Sequence, residues 1–126
     1  MLAAVATGGA LGTVARWAAA IASPTPPTGF PWMTLAVNVL GCFLIGVLVA
    51  LVTDVVAAHP LVRPFLGTGV LGGFTTFSGY AVDGTQLLQQ ERVGAAGAYL
   101  ATTLLGALLA TWLGLGIVRY LAGAPR

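Results

Sequence analysis

The chain has 126 residues, of which 58% are hydrophobic and only 6% are charged, and it contains no lysine. A soluble domain of this size would cover its surface with charge, so the composition is typical of a protein solvated mainly by hydrocarbon. The formal net charge of +2 is too small, and its arginines too scattered, for a nucleic-acid surface. The single cysteine, Cys42, excludes a disulfide framework within the chain.

Four apolar runs account for nearly the whole sequence, and each is close to the roughly 20 residues that cross a bilayer as a helix. Their approximate ranges are 2–22, 32–53, 64–86 and 93–121. Prolines separate the first two runs and polar residues separate the last two, because neither continues an apolar helix. The sequence therefore predicts an all-α integral membrane protein, with residues 1–126 forming one transmembrane domain of four helices.

The arginines give these predicted helices almost no orientation signal, although basic loop residues normally favour the cytoplasmic side. With an even number of helices, both termini lie on one side, which would carry Arg63, Arg119 and Arg126. The opposite side would carry Arg92 and, marginally, Arg16. Because three against two is a negligible bias, we expect dual topology, in which the chain pairs with an inverted second copy around an axis in the membrane plane.

The third run contains too many helix-breaking residues for an ordinary membrane helix. Five glycines lie between positions 67 and 79, and the sequence TTFS at 75–78 falls near the middle of the run. Hydroxyl side chains there compete with the helical hydrogen bonds, so we expect this helix to be broken in mid-membrane. Backbone groups freed at that depth must be buried in protein or face water or an ion. A simple kink and a site for a small cation are both open interpretations.

Other polar residues within the runs are few, and they fall on helical faces. Thr34, Asn38 and Cys42 are spaced by four on the second run, and Tyr99 and Thr103 are spaced by four on the fourth. A buried amide needs a partner, so a hydrogen bond between helices and a pore-lining donor are the two interpretations of Asn38.

The charged residues do not form an enzyme site. The acids and the one histidine fall in loops or at the ends of runs, without metal-ligand or acid–base spacing. Arg16 is the only charge well away from the ends of a predicted helix, where snorkelling to the interface and a position at an aqueous vestibule are the alternatives. Hydroxyls, one amide, aromatic rings and backbone remain at membrane depth, and these groups suit a passive pore for a small ion.

Three segments occur in the order GGALGTVARW at 8–17, TLAVNVLGCFLIG at 34–46 and GVLGGFTTFSGY at 69–80. Together they resemble the CrcB/Fluc family of fluoride channels, and the resemblance extends over essentially the whole chain. It implies an antiparallel, dual-topology homodimer with two pores in the lipid bilayer of the bacterial plasma membrane, the cell inner membrane. It also implies passive export of fluoride, which lowers its cytoplasmic concentration and gives fluoride resistance.

The resemblance assigns two ion sites to the third run. Gly72 and Thr75 would provide backbone carbonyls to a structural sodium ion on the dimer axis. Phe77 and Tyr80 would form an aromatic box whose ring edges, the positive ends of the quadrupoles, face the anion. Tyr80 stands where phenylalanine is usual, so its hydroxyl is expected either to donate to the anion or to narrow the path.

The remaining implied positions form a polar path. Asn38 and Ser78 would line the pore, and Thr34 matches a hydroxyl position one turn before the asparagine. Tyr99 and Thr103 would form a polar track along the fourth helix, and Arg16 would lie near the vestibule. The alternatives are a structural or regulatory four-helix membrane protein and a small multidrug-type exporter. An exporter usually needs an acid within a membrane helix, and none of the acids lies in mid-helix.

Overall fold

A computed structural model describes residues 1–55 and 57–123, and this part of the chain is helical with short connections and no strand. Arg126, which the charge count grouped with Arg63 and Arg119, lies outside the described residues. The helices in chain order are α1 (Leu2–Ala22), α2 (Trp32–Ala50) with a π-helical continuation (Leu51–Val55), a second π-helical segment (Arg63–Leu71), α3 (Gly72–Phe74), α4 (Phe77–Gln89) and α5 (Val93–Ala122).

Two of these helical stretches are long and apolar enough to cross a membrane by length and composition. They are Trp32–Val55, which joins α2 to its π-helical continuation, and Val93–Ala122. The 21 residues of α1 have the length of a span, but Arg16 and three glycines make this helix less apolar. The third predicted run is divided into shorter helices, so no single one of them has the length of a span.

The third run is interrupted between α3 and α4. Thr75 has φ −77° and ψ 159°, and Thr76 has φ −147° and ψ 116°, so both residues are extended. The Thr76 hydroxyl accepts a hydrogen bond of 2.9 Å from the Gly79 N–H and so caps the start of α4. Threonine is a favoured residue at this position because its oxygen satisfies an N–H that has no partner within the helix.

Glycines let α1 pack directly on the backbone that precedes the interruption. A Cβ at Gly12 would collide with the Val70 carbonyl and lie 2.8 Å from the Phe74 nitrogen. A Cβ at Gly73 would in turn collide with the Gly9 carbonyl. Small residues at such interfaces allow two helices to approach at backbone contact, which is how α1 is held against α3.

The opposite side of the fold is a pair formed by α2 and α5. A Cβ at Gly46 would collide with the Thr111 carbonyl, and a Cβ at Gly114 would collide with the Phe43 carbonyl. The Thr111 hydroxyl donates to the Cys42 carbonyl at 3.0 Å, which adds an interhelical hydrogen bond to this close packing. Nearer the N-terminus of α5, the buried side chains of Ala96 and Tyr99 pack against Leu87 of α4. The residues that precede the interruption in the chain therefore pack against α1, and the residues that follow it lie near α2 and α5.

We expect Gly12→Ala to destabilise the protein. The added methyl group meets backbone that cannot move aside, and overpacking of this kind costs about 1–3 kcal/mol. The matched control is Gly116→Ala on α5, where an added Cβ has no neighbour within 4 Å. Alanine is the better helix former by roughly 0.5–1 kcal/mol, so the control should unfold at the same or a higher temperature. Equal thermal unfolding temperatures for the two variants in detergent would contradict the close packing described.

Candidate functional site

A cavity of about 220 Å³ opens beside the interruption, between α2, the start of α4 and the middle of α5. Its lining surface is mostly apolar, with polar side chains at Asn38, Thr75, Thr76 and Thr103, and it includes no charged side chain. The structure brings five of the predicted site residues together here: Asn38, Thr75, Phe77, Tyr80 and Thr103. Cys42, Thr76, Leu104 and Ala107 complete the lining.

The Asn38 side chain holds the interruption by bonding both backbone groups of one residue. Its Oδ1 accepts the Thr76 N–H at 2.7 Å, and its Nδ2 donates to the Thr76 carbonyl at 3.0 Å. Asn38 is only 8% exposed, so these two bonds are shielded from solvent. The amide nitrogen carries two N–H groups, and one is left over for another acceptor. The bonds from Asn38 to Thr76 join two helical elements, as one of the two interpretations of the sequence has it. Asn38 also lines the cavity, and its amide has one N–H group left for an acceptor.

The carbonyl groups of residues 72–75 lose their helical donors at the interruption, because α4 begins anew at Phe77. In a continuous helix, the Thr76 N–H would donate to the Gly72 carbonyl and the Gly79 N–H to the Thr75 carbonyl. Here the first donates to Asn38 and the second to the Thr76 hydroxyl. The carbonyls of Gly72 and Thr75, the two that the family resemblance assigns to a cation, therefore lose their ordinary donors. The Thr75 hydroxyl donates elsewhere, to the Leu71 carbonyl at 3.0 Å.

The carbonyl of Gly73, between these two, is bonded by α1. The Arg16 Nε–H donates to it at 3.2 Å, and the Thr13 hydroxyl makes a longer contact of 3.5 Å with the same oxygen. Arg16 is half-buried and lies against the interruption. Among the described residues, no three His, Cys, Asp or Glu side chains are grouped so as to hold a metal. The groups at the interruption that could contact a cation are backbone oxygens, a ligand type that hard cations prefer.

Aromatic rings form a row that starts at the cavity. Phe77 is 82% exposed, and its ring centroid lies 5.6 Å from that of Tyr80. The Tyr80 ring is in turn 5.6 Å from the ring of Tyr99, which is fully buried. These separations lie in the range of favourable aromatic pairs. The Tyr80 hydroxyl donates to the Leu100 carbonyl at 3.0 Å, so its proton is used within the protein.

The hydroxyls of the predicted polar path have different environments. Tyr99 donates to the Asp83 carboxylate at 3.2 Å, and Thr34 lies close to the same tyrosine hydroxyl. Ser78 is exposed, with its hydroxyl 3.2 Å from that of Thr76. Thr103 is 4% exposed, yet its Oγ1 has no partner within the described part of the chain. A buried hydroxyl without a partner costs about 1–3 kcal/mol, which marks the Thr103 side of the cavity as a place for a polar guest.

Two residues with structural roles at this site were not among the predicted site residues. Thr76 is the cap of α4 and the residue that Asn38 bonds, and its signal was a threonine three residues before Gly79 in a glycine-rich segment. Asp83 receives the Tyr99 hydroxyl, and its signal was an acid about one helical turn after Tyr80. The expectation that no acid lies in mid-helix was wrong for Asp83, because α4 continues to Gln89 and places this residue at its centre. Both signals are local in the sequence. The residues that bond Thr76 and Asp83 from other helices, Asn38 and Tyr99, cannot be identified from a sequence pattern.

The fold and this site define a small all-helical membrane protein whose polar groups converge on an interrupted helix. Residues 3–115 match the family model described as CrcB-like protein, Camphor Resistance (CrcB). The chain belongs to this family.

Relatives named as ion channels match most of the chain. The fluoride-specific ion channel FluC 1 of Streptomyces coelicolor is 56% identical over 113 residues, covering 90% of this chain and 73% of the relative. FluC 2 of Nocardia farcinica is 48% identical over 126 residues, covering 100% of this chain and 90% of the relative. FluC of Agrobacterium fabrum is 44% identical over 125 residues, with 95% and 97% covered. These matches confirm the family predicted from the three sequence segments.

We expect Asn38→Ala to loosen the interruption, because it leaves the Thr76 N–H and carbonyl without partners at a cost of about 1–3 kcal/mol each. Thermal unfolding in detergent should shift down, and amide exchange over residues 75–79 should accelerate. Cys42→Ala is the matched control, since Cys42 lines the same cavity one helical turn away and its thiol does not bond Thr76. Exchange in Asn38→Ala that matches Cys42→Ala would show that the amide does not hold the interruption.

Proposed function

We propose that this chain is a fluoride-selective channel through which fluoride leaves the cell passively, lowering its cytoplasmic concentration. The observation that carries the proposal is the cavity beside the interruption, whose mostly apolar lining holds uncharged polar side chains at Asn38, Thr75 and Thr103, in a chain whose relatives are named fluoride-specific ion channels. The function is transport, as in those relatives, and no bond is made or broken.

The cavity offers a small anion several weak contacts and no full positive charge. The spare N–H of Asn38 and the hydroxyl of Thr103 are donors that fluoride, a compact and strong hydrogen-bond acceptor, would use to replace lost water. The exposed ring of Phe77 would present its positive edge, with Tyr80 behind it and Ser78 beside it. Contacts of this strength let an ion enter and leave, which a channel requires.

The polar path continues from the cavity along α5. The Tyr80 hydroxyl is bonded to Leu100, so we assign the Tyr80 ring, rather than its proton, to the anion. Tyr99 and Thr103 form the track, and Thr34 supports the Tyr99 hydroxyl from α2. Family resemblance would place Arg16 near the vestibule, but the contact of its guanidinium is with the Gly73 carbonyl at the interruption.

A second copy in inverted orientation completes the channel in this proposal. The chain would cross the bacterial plasma membrane four times, through α1, α2, the interrupted third helix and α5, with the interruption at mid-membrane depth. Phe77 is 82% exposed and Gly72 is exposed, so the groups assigned to both ions lie on an uncovered surface of the single chain. The near balance of arginines supports insertion in both orientations. The homodimer would hold two antiparallel pores.

A structural sodium ion would lie where the two interruptions meet on the dimer axis. The residues present fit it, because the carbonyls of Gly72 and Thr75 have both lost their helical donors. Two such pairs from inverted copies would supply four oxygens. The ion would supply positive charge at a place where unpaired carbonyls from both chains come together.

Fluoride efflux from liposomes tests the proposal. Purified protein reconstituted in vesicles loaded with sodium fluoride should release fluoride, recorded with a fluoride electrode, far faster than protein-free vesicles. Release of chloride from matched vesicles should stay near the protein-free level. Absence of fluoride release, which a purely structural protein or a drug exporter would give, or equal release of chloride, would overturn the proposal.

Phe77→Ile should abolish this efflux while leaving a folded protein, because an aliphatic side chain has no positive ring edge for the anion. Trp112→Ile is the matched control, since Trp112 is also an exposed aromatic residue but lies on α5 outside the cavity. The control should retain wild-type efflux. Wild-type efflux in Phe77→Ile would show that Phe77 does not line the path.

A further inference from the structure

Arg16 lies on the cation side of the interruption and not at the cavity. Its Nε–H donates to the Gly73 carbonyl at 3.2 Å, and Gly73 lies between Gly72 and Thr75, whose carbonyls are released. The cavity that holds Asn38 and Phe77 is lined from α2, α4 and α5, without a residue of α1. The guanidinium therefore acts on the backbone of the interruption from the side opposite the proposed anion path.

The packing of α1 fixes Arg16 in this place. Gly8, Gly12 and Arg16 are spaced by four and share one face of α1. Gly8 and Gly12 are buried against the backbone of residues 65–74, so α1 cannot slide or rotate without a clash. A side chain that snorkels must be free to extend toward the membrane interface, whereas Arg16 is half-buried and bonded to Gly73.

The charge of Arg16 matches the electrostatics of the backbone it bonds. The helical path that begins at Arg63 ends at Phe74, where carbonyls without partners carry the negative end of the helix dipole. A guanidinium on the middle carbonyl stabilises that end. It also occupies the Gly73 oxygen, whereas the carbonyls of Gly72 and Thr75 have lost their helical donors and are not bonded by Arg16.

We propose that Arg16 is a positioning residue that fixes the Gly73 carbonyl and thereby orients the carbonyls of Gly72 and Thr75 toward the sodium ion. This inference rests on the proposed function and its sodium site. It differs from a vestibule role, in which the positive charge would attract fluoride from solution. The two roles predict different responses to sodium and to ionic strength.

Thermal unfolding of the full-length protein in detergent tests the inference without transport. Sodium chloride is titrated against N-methylglucamine chloride at constant ionic strength, and the sodium concentration that gives half of the stabilisation is measured. Arg16→Gln should raise this midpoint about tenfold, because a charge-assisted bond that orders the ligands is lost. Arg16→Lys should restore part of the affinity, since an ammonium group also donates to a carbonyl.

Arg92→Gln is the matched control. Arg92 also donates to backbone carbonyls, those of Thr28 and Gly29, but in the loop before α2 and away from the interruption. Its sodium midpoint should equal that of the wild type. If Arg16→Gln does not fold, Arg16→Lys and Thr13→Val are measured instead. Both should raise the sodium midpoint above that of the wild type, because Thr13 and Arg16 contact the same Gly73 carbonyl.

Two results would overturn the inference. In the first, the folded Arg16 variants keep the wild-type sodium midpoint but release fluoride more slowly than the wild type, and this difference disappears when salt is added. That is the behaviour of a vestibule charge, whose attraction for fluoride is screened by salt. The other is a wild-type protein whose unfolding does not respond to sodium. A wild type that responds to sodium but releases no fluoride would contradict the proposed function while leaving the role of Arg16 at the cation site in place.

Discussion

The pair of hydrogen bonds between the Asn38 amide and the Thr76 backbone is the interaction on which the other features of the site depend. An extended residue inside a helical path leaves an N–H and a carbonyl unpaired, and in hydrocarbon each would cost several kcal/mol. Asn38 satisfies both from α2. Because the Thr76 N–H is used in this way, the Gly72 carbonyl is released on one side, and Phe77 begins a new helix on the other. An apolar residue at position 38 would leave the Thr76 N–H and carbonyl unpaired and would therefore destabilise the interruption.

The interruption would also fail if its neighbours were less closely packed. Glycines at Gly12 and Gly73 bring α1 to backbone contact before the break, and Gly46 and Gly114 do the same for α2 and α5. These contacts hold the helical elements in place while only two residues leave the helical conformation. Most of the glycines therefore allow close packing of helices. They are not required for an unusual backbone conformation, since Gly123 is the one glycine with positive φ among the described residues.

Much of this arrangement could be predicted from the sequence, for identifiable reasons. The apolar runs predicted the helices because their lengths and proline boundaries are local properties, and α1 begins and ends at the predicted residues. The crowding of Gly and Thr is likewise a local property, and the two extended residues, Thr75 and Thr76, lie within that segment. The partner of Asn38, the contact between Arg16 and Gly73, and the use of the Tyr80 hydroxyl by Leu100 were not predicted, because each joins residues 20 or more positions apart. The π-helical segments had no sequence signal that we recognised.

An interrupted helix places two opposite electrostatic ends side by side, and this explains how one short segment serves two ions of opposite charge in the proposed channel. The path that ends at Phe74 presents carbonyls, and α4, which starts at Phe77, presents N–H groups and the positive end of its dipole. Arg16 and the proposed sodium ion belong to the first end. The cavity with Asn38, Phe77 and Thr103 lies at the second. A continuous helix would cancel these charges internally, so the break itself supplies the separation that lets the anion path remain free of any fixed cation.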